Sequence, residues 1–255
     1  MDKKQQKSIF IGYASGLTRV MFTHPIWSMK VRAQQNLPFT LNPRTLYSGI
    51  GVSTVTYPLT VIIQLELNQF LQQASTSPPS KFQQLGCAFL AGIGASLVNC
   101  PIEYSVIQQG LVKKSFQEST AHIIKTHGLK RFFTGQVATT LRDGSFATFF
   151  LVAPLFLEQY IKPYVEQEEA KSLIAGMISG TGATLLTQPF DTVKTIQQSA
   201  SEALSSTQAI KNIYKNYGPF GFFKGGAERG AMVITSIAVL NTTRNALERV
   251  LCDSP

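Results

Sequence analysis

The sequence predicts an all-α membrane protein of six transmembrane helices in three pseudo-threefold repeats, with short surface helices in the second and third repeats. Three observations predict it. Only 15% of the 255 residues are charged and 44% are hydrophobic, against roughly 25% charged in an average soluble domain. Mean hydropathy is nevertheless only slightly positive, as expected of membrane helices that keep polar faces toward a wet interior. A glycine–proline pattern also recurs three times along the chain.

Pro25, Pro101 and Pro189 anchor that pattern, and nine residues before each lies a glycine: Gly16, Gly92 and Gly180. Given one such pair, two further matches by chance have a probability of about 0.5%, taking glycine at about 7% of residues. Four residues earlier stand Gly12, Ala88 and Gly176. Each repeat thus begins with a small-xxx-small stripe that lets helix backbones approach closely, followed by a proline that kinks or breaks the helix.

The second half of each unit opens at Leu46-Tyr47-Ser48-Gly49, Phe132-Phe133-Thr134-Gly135 and Phe222-Phe223-Lys224-Gly225, each followed by an apolar run. These signals place helices at 8–34, 48–72, 83–109, 136–160, 170–198 and 226–250, and repeats at 1–78, 79–165 and 166–255. Polar connectors at 74–81, with Pro78-Pro79, and at 162–171 separate the repeats. Helical spacing of Phe116, Ile123 and Ile124, and of Ala209, Ile210 and Ile213, predicts surface helices near 115–126 and 207–216. The equivalent stretch 36–45 contains Pro38 and Pro43 and is too short and broken for one, so the first repeat is shortened.

The net charge of +9 admits nucleic acid, anionic lipid or an anionic solute as partner. Lys3, Lys4, Lys7, Lys113, Lys114, Lys130 and Arg131 flank apolar stretches instead of forming an aromatic-interleaved stripe. That distribution argues against nucleic acid and for lipid contact at helix ends. Cys87, Cys100 and Cys252 sit at unrelated spacings and imply neither a disulfide framework nor a metal site. His24, His122 and His127 are dispersed, with no nucleophile–base, metal-ligand or phosphate-loop spacing beside them, so neither an enzyme nor a cofactor is expected.

The residues after the prolines resemble the mitochondrial carrier signature, Pro-x-[Asp/Glu]-x-x-[Lys/Arg]-x-[Lys/Arg]-x-Gln. The third repeat supplies Pro189, Asp191, Lys194 and Gln198; the second keeps Pro101 and Glu103 but has Val106 at the basic position; the first keeps Pro25, Lys30, Arg32 and Gln34 but has Trp27 at the acidic position. The resemblance implies that the acid of each odd helix pairs with the base of the next around a threefold axis, closing the matrix side. It therefore implies the pairs Asp191 with Lys30, Glu103 with Lys194, and an apolar contact of Trp27 with Val106. Both losses fall on one pair, so no charge is orphaned. Gln34 and Gln198 would brace the pairs. On the opposite side the family's even-helix motif is worn, and the one cross-pair left is Glu66 with Arg244.

Carried over, the family's mechanism implies a membrane transporter working by alternating access, with solute bound near the midplane. Arg142, seven residues past Gly135, falls at the family's solute-contact register, and Arg142-Asp143 resembles carriers of amino acids and related zwitterions. Arg229 is the expected partner on the sixth helix, with Glu228 or Met232 as neighbours in register; Ser53, Thr54 and Thr56 are the polar residues available on the second. The expected solute is a small anionic or zwitterionic metabolite. The alternatives are an adenine-nucleotide carrier or a degenerate, non-transporting scaffold. The resemblance further implies a monomer in the mitochondrial inner membrane, with another organelle membrane as the alternative, and lipid contacts that include cardiolipin.

Overall fold

The computed structural model describes residues 3–74, 79–112 and 115–252; Pro78, Lys113 and Lys114 lie outside them. Every regular element among the described residues is helical. The odd helices are α1 (Lys3–Gln34), α4 (Lys81–Val112) and α8 (Glu168–Ser199), each of 32 residues. Each is followed by its partner: α3 (Ile50–Gln73), α6 (Gln136–Leu151) continued by α7 (Ala153–Ile161), and α10 (Gly226–Cys252). Neighbour packing closes these helices into a ring, α1–α3–α4–α6–α8–α10 and back to α1.

Between the long helices lie α5 (Phe116–His127) and α9 (Ser206–Tyr217), the two expected surface helices. Both start on a capping box, in which Ser115 and Glu118, or Ser205 and Gln208, satisfy one another's backbone N–H groups. In the first unit only the single turn α2 (Pro43–Leu46) forms, because Pro38 and Pro43 deny the segment a longer helix.

The radial distribution of polarity is inverted relative to a soluble bundle. Leu185 and Leu186 on α8 are each 58% exposed, whereas Thr184, Thr187, Gln188, Asp191, Thr192 and Lys194 on the same helix are buried. Phe22, Val55, Ile62 and Leu97 likewise face outward. Such a surface suits hydrocarbon. Pro43–Gln73, Lys81–Leu111 and Leu129–Ile161 are long and apolar enough to cross a membrane by length and composition. α1, α8 and α10 have the length but spend residues on the polar interior.

Two expectations need correction. The fourth helix is not continuous over 136–160: it breaks at Val152, because Pro154 has no N–H for the carbonyl of Phe150 and its ring crowds that carbonyl. Pro25, Pro101 and Pro189 lie inside their helices, which run through them. The small-residue stripe packs closely in only two units. A Cβ on Gly92 would lie 2.3 Å from the Asp143 carbonyl oxygen and one on Gly180 2.8 Å from Val233 Cγ1, but Gly12 and Gly16 face open space.

A threefold feature was not legible in the sequence. The residue before each proline bonds the carbonyl of the residue before each helix-opening glycine: His24 Nε2 to Ser48 O (2.9 Å), Cys100 Sγ to Thr134 O (3.6 Å) and Gln188 Nε2 to Lys224 O (2.7 Å). Three different donors do one job, so residue identity conceals the repeat. Gly135 and Gly225, at φ +81° and +74°, let the chain turn there, and a Cβ on Gly225 would lie 3.1 Å from the Lys30 carbonyl oxygen.

Candidate functional site

The ring encloses a cavity of about 260 Å³, lined by α1, α3, α4, α6 and α10. Beneath it, charged side chains from four helices meet. On α8, Asp191 and Lys194 stand three residues apart and so share a face; Lys30 on α1 and Glu103 on α4 occupy the matching register. Lys30 Nζ donates to Asp191 Oδ2 at 2.9 Å, and Lys194 Nζ to Glu103 Oε2 at 2.7 Å. Lys30, Asp191 and Lys194 side chains are at most 2% exposed, Glu103 18%. Gln34 Nε2 donates to Asp191 Oδ2 at 2.8 Å.

Arg142 does not line the cavity; it lies in the network below. Its terminal nitrogens donate to both Glu103 oxygens (3.1 and 2.8 Å) and to Asp191 Oδ1 (3.0 Å), and its Nε to Asp143 Oδ1 (2.7 Å). The expectation of a guanidinium free for solute is therefore corrected. The reason is electrostatic: three carboxylates lie within reach, and a buried guanidinium with five N–H groups is held where they converge. Lys30, Arg142 and Lys194 balance Glu103, Asp143 and Asp191 in charge.

Asp143 does line the cavity, and its second oxygen accepts from Asn99 Nδ2 at 2.9 Å. Ser53 and Thr56 also line it, their hydroxyls donating to the backbone carbonyls of Gly49 and Val52. Arg229 does not. It is buried, with only long contacts to Thr184 O (3.5 Å) and Gln188 Oε1 (3.4 Å), and its guanidinium carbon is 5.7 Å from the Phe146 ring centre. Met232, three residues along the helix, takes the cavity position instead.

Trp27 and Val106 both line the cavity, and both also line a second void of about 40 Å³. The side of the floor without an ion pair is thus a thin apolar partition between two spaces. Gln198 does not touch the Glu103–Lys194 pair: its amide donates to the carbonyls of Cys100 (3.4 Å) and Thr134 (3.2 Å), joining α8 to the start of α6. Glu66 and Arg244 are not brought together either. Arg244 bonds Glu248 one turn along its own helix at 2.8 Å, and Glu66 is exposed. No metal-ligand cluster of three or more His, Cys, Asp or Glu occurs among the described residues.

Two cavity residues escaped the sequence reading. Arg19 and Tyr57 face each other across α1 and α3, with the Arg19 guanidinium carbon 3.6 Å from the ring centre. The available signal was a charge in the middle of the run Gly16-Leu17-Thr18-Arg19-Val20-Met21-Phe22, at membrane depth.

Comparison with known proteins follows the same direction. The family described as "Mitochondrial carrier protein" matches residues 166–254. The chain is 32% identical over 111 residues to the mitochondrial glycine transporter A of Danio rerio, covering 42% of this chain and 39% of that protein. It is 28% identical over 165 residues to the mitochondrial carnitine carrier of Saccharomyces cerevisiae, covering 60% and 50%. These matches span half of each relative or less. A longer one reaches the mitochondrial substrate carrier family protein Z of Dictyostelium discoideum, 26% identical over 267 residues, with 88% and 87% covered.

Proposed function

We propose that the chain is a mitochondrial carrier and that it transports a small carboxylate-bearing zwitterion across the inner membrane by alternating access. The observation that carries the proposal is a cavity resting on a buried, charge-balanced ion network. Such a floor separates two aqueous spaces through contacts that come apart as units. Parting α1 from α8 opens Lys30–Asp191, and parting α4 from α8 opens Glu103–Lys194. Arg142 on α6 holds a carboxylate from each of α4 and α8, so it must release at least one of them when those helices separate.

The floor must yield. Removing one member of a buried pair costs about 3–5 kcal/mol because its partner stays dry and unpaired. Separating both members into water recovers most of that, since hydrated ion pairs are worth about 0–1 kcal/mol. Solute bound above the floor shifts the balance by as much as it prefers one cavity shape over the other. Trp27 and Val106 provide an apolar side that parts without leaving a charge stranded.

The zwitterionic class is supported by Asp143 and Glu103, which present carboxylates to the cavity and suit an ammonium group. It agrees with relatives named for glycine and carnitine. The proposal takes residues 1–78, 79–165 and 166–255 as the three repeats, and the carrier as a monomer in contact with lipid, cardiolipin included. The test is uptake of labelled glycine, carnitine, citrate and ATP into liposomes holding the purified protein. Saturable uptake of glycine or carnitine is expected. Uptake of ATP alone would overturn the solute class, and uptake of none would overturn transport of this class.

A further inference from the structure

We propose that Arg19, stacked on Tyr57, is the anion anchor of the cavity and takes the carboxylate of the bound solute; this names a residue for the transport reading above and rests on it. Arg19 lines the cavity on α1, one helical turn from Thr23 and two from Trp27. Its Nε is shut off from solvent and has no hydrogen-bond partner among the described residues. No ion pair joins it to another described residue, and its guanidinium carbon rests 3.6 Å from the Tyr57 ring centre.

The other buried cations of the bundle are differently placed. Lys30 has Asp191, Lys194 has Glu103, and Arg142 has three carboxylates. Arg131 has the Tyr104 hydroxyl and the carbonyls of Ala200 and Ser201. Even Arg229 has two oxygens at long range. The two carboxylates that line the cavity, Glu103 and Asp143, are both held by Arg142, and neither is paired with Arg19. Arg19 is thus a cation at membrane depth whose counter-charge is not supplied by the described chain.

A guanidinium lying flat on an aromatic ring is held by its face and presents its edge. The two terminal nitrogens on that edge match the two oxygens of a carboxylate in bidentate fashion. Asp143 and Glu103, on α6 and α4, offer the opposite sign to the other end of the solute. Trp27, Tyr57, Phe146 and Phe150 line the cavity beside them, which suits an amino or quaternary ammonium group. The class this arrangement fits is a small carboxylate with a cationic second group, and Arg19 discriminates it from the matching cation that has no carboxylate.

Trp27 is the only tryptophan in the chain and lines the same cavity, so its fluorescence reports occupancy. The experiment titrates purified full-length protein in detergent with carnitine against choline, and glycine against methylamine. The wild type should respond to carnitine and glycine at concentrations at least tenfold below those for choline and methylamine. Arg19→Gln should raise the carnitine and glycine midpoints at least tenfold, leave choline and methylamine within twofold, and melt at or above the wild-type temperature. Arg19→Lys should fall between. Carnitine and glycine midpoints within twofold of wild type in Arg19→Gln would overturn the anchor, as would a wild type indifferent to the carboxylate. Binding that depends on Arg19 with no liposome uptake would keep the anchor and remove transport. Uptake that persists unchanged in Arg19→Gln would do the reverse.

Discussion

Charge reversal at Asp191 loads the floor network at its most buried point. The side chain is 1% exposed and accepts from Lys30 Nζ, Gln34 Nε2 and Arg142 Nη1 at 2.8–3.0 Å. Asp191→Lys deprives all three donors of their acceptor and places an ammonium against two existing cations. Breaking a buried pair costs about 3–5 kcal/mol; at about 2–4 °C per kcal/mol for a chain of this size, melting should fall by roughly 6–20 °C, and liposome uptake should fail. Adding Lys30→Asp returns one ionic contact but leaves the introduced lysine beside Arg142, so the rescue should be partial, with an interaction energy of about 1–3 kcal/mol. Melting of the purified variants in detergent and uptake in liposomes measure both. If the two losses simply add, to within about 0.5 kcal/mol, Lys30 and Asp191 do not act as a pair and the reasoning fails.

Trp27→Asp should impair uptake by itself, because the new carboxylate faces Val106 with no cation, and Val106→Lys should recover part of it; normal uptake in the single variant would remove the apolar partition from the floor. Asp143→Asn should weaken glycine or carnitine uptake at least tenfold, consistent with losing a charged hydrogen bond worth about 1.5–3 kcal/mol, and should lower melting by removing the charge that partners Arg142 Nε; ATP uptake that improves in this variant would favour a nucleotide solute. Gly92→Ala should destabilise through a clash with the Asp143 backbone, whereas Gly16→Ala should leave melting within about 1 kcal/mol of wild type or raise it; equal effects at the two sites would contradict the packing described.

Much of the fold was legible because it is written in backbone chemistry. Prolines and glycines act locally and placed α1, α4 and α8, and apolar spacing placed α5 and α9. Pro154 carried the same local signal, and the break at Val152 could have been read from it. The resemblance to the carrier signature also implied that Lys30 pairs with Asp191 and Glu103 with Lys194, which the structure brings within 2.9 Å in pairs. What sequence spacing could not give is competition among partners. Arg142 has the register of a solute contact, yet Glu103, Asp143 and Asp191 hold its guanidinium. Arg229 and Met232 differ by less than one turn, and only packing decides which faces inward. Gln198 looked like Gln34, but the carbonyls freed at the glycine turn claim its amide. Arg19 was missed because it belongs to no motif; its meaning lies in a ring and a void contributed by other helices.

Opening of the floor during transport can be tested by fastening it shut. In a variant with Lys30→Cys, Asp191→Cys and the native cysteines replaced, a short bifunctional thiol cross-linker would tie α1 to α8 across the network. Carnitine and glycine uptake should stop on cross-linking and return on cleavage of the link, while both solutes still alter Trp27 fluorescence from the cavity above. Cross-linked protein that transports at the rate of the uncross-linked protein would contradict a floor that must part for solute to pass.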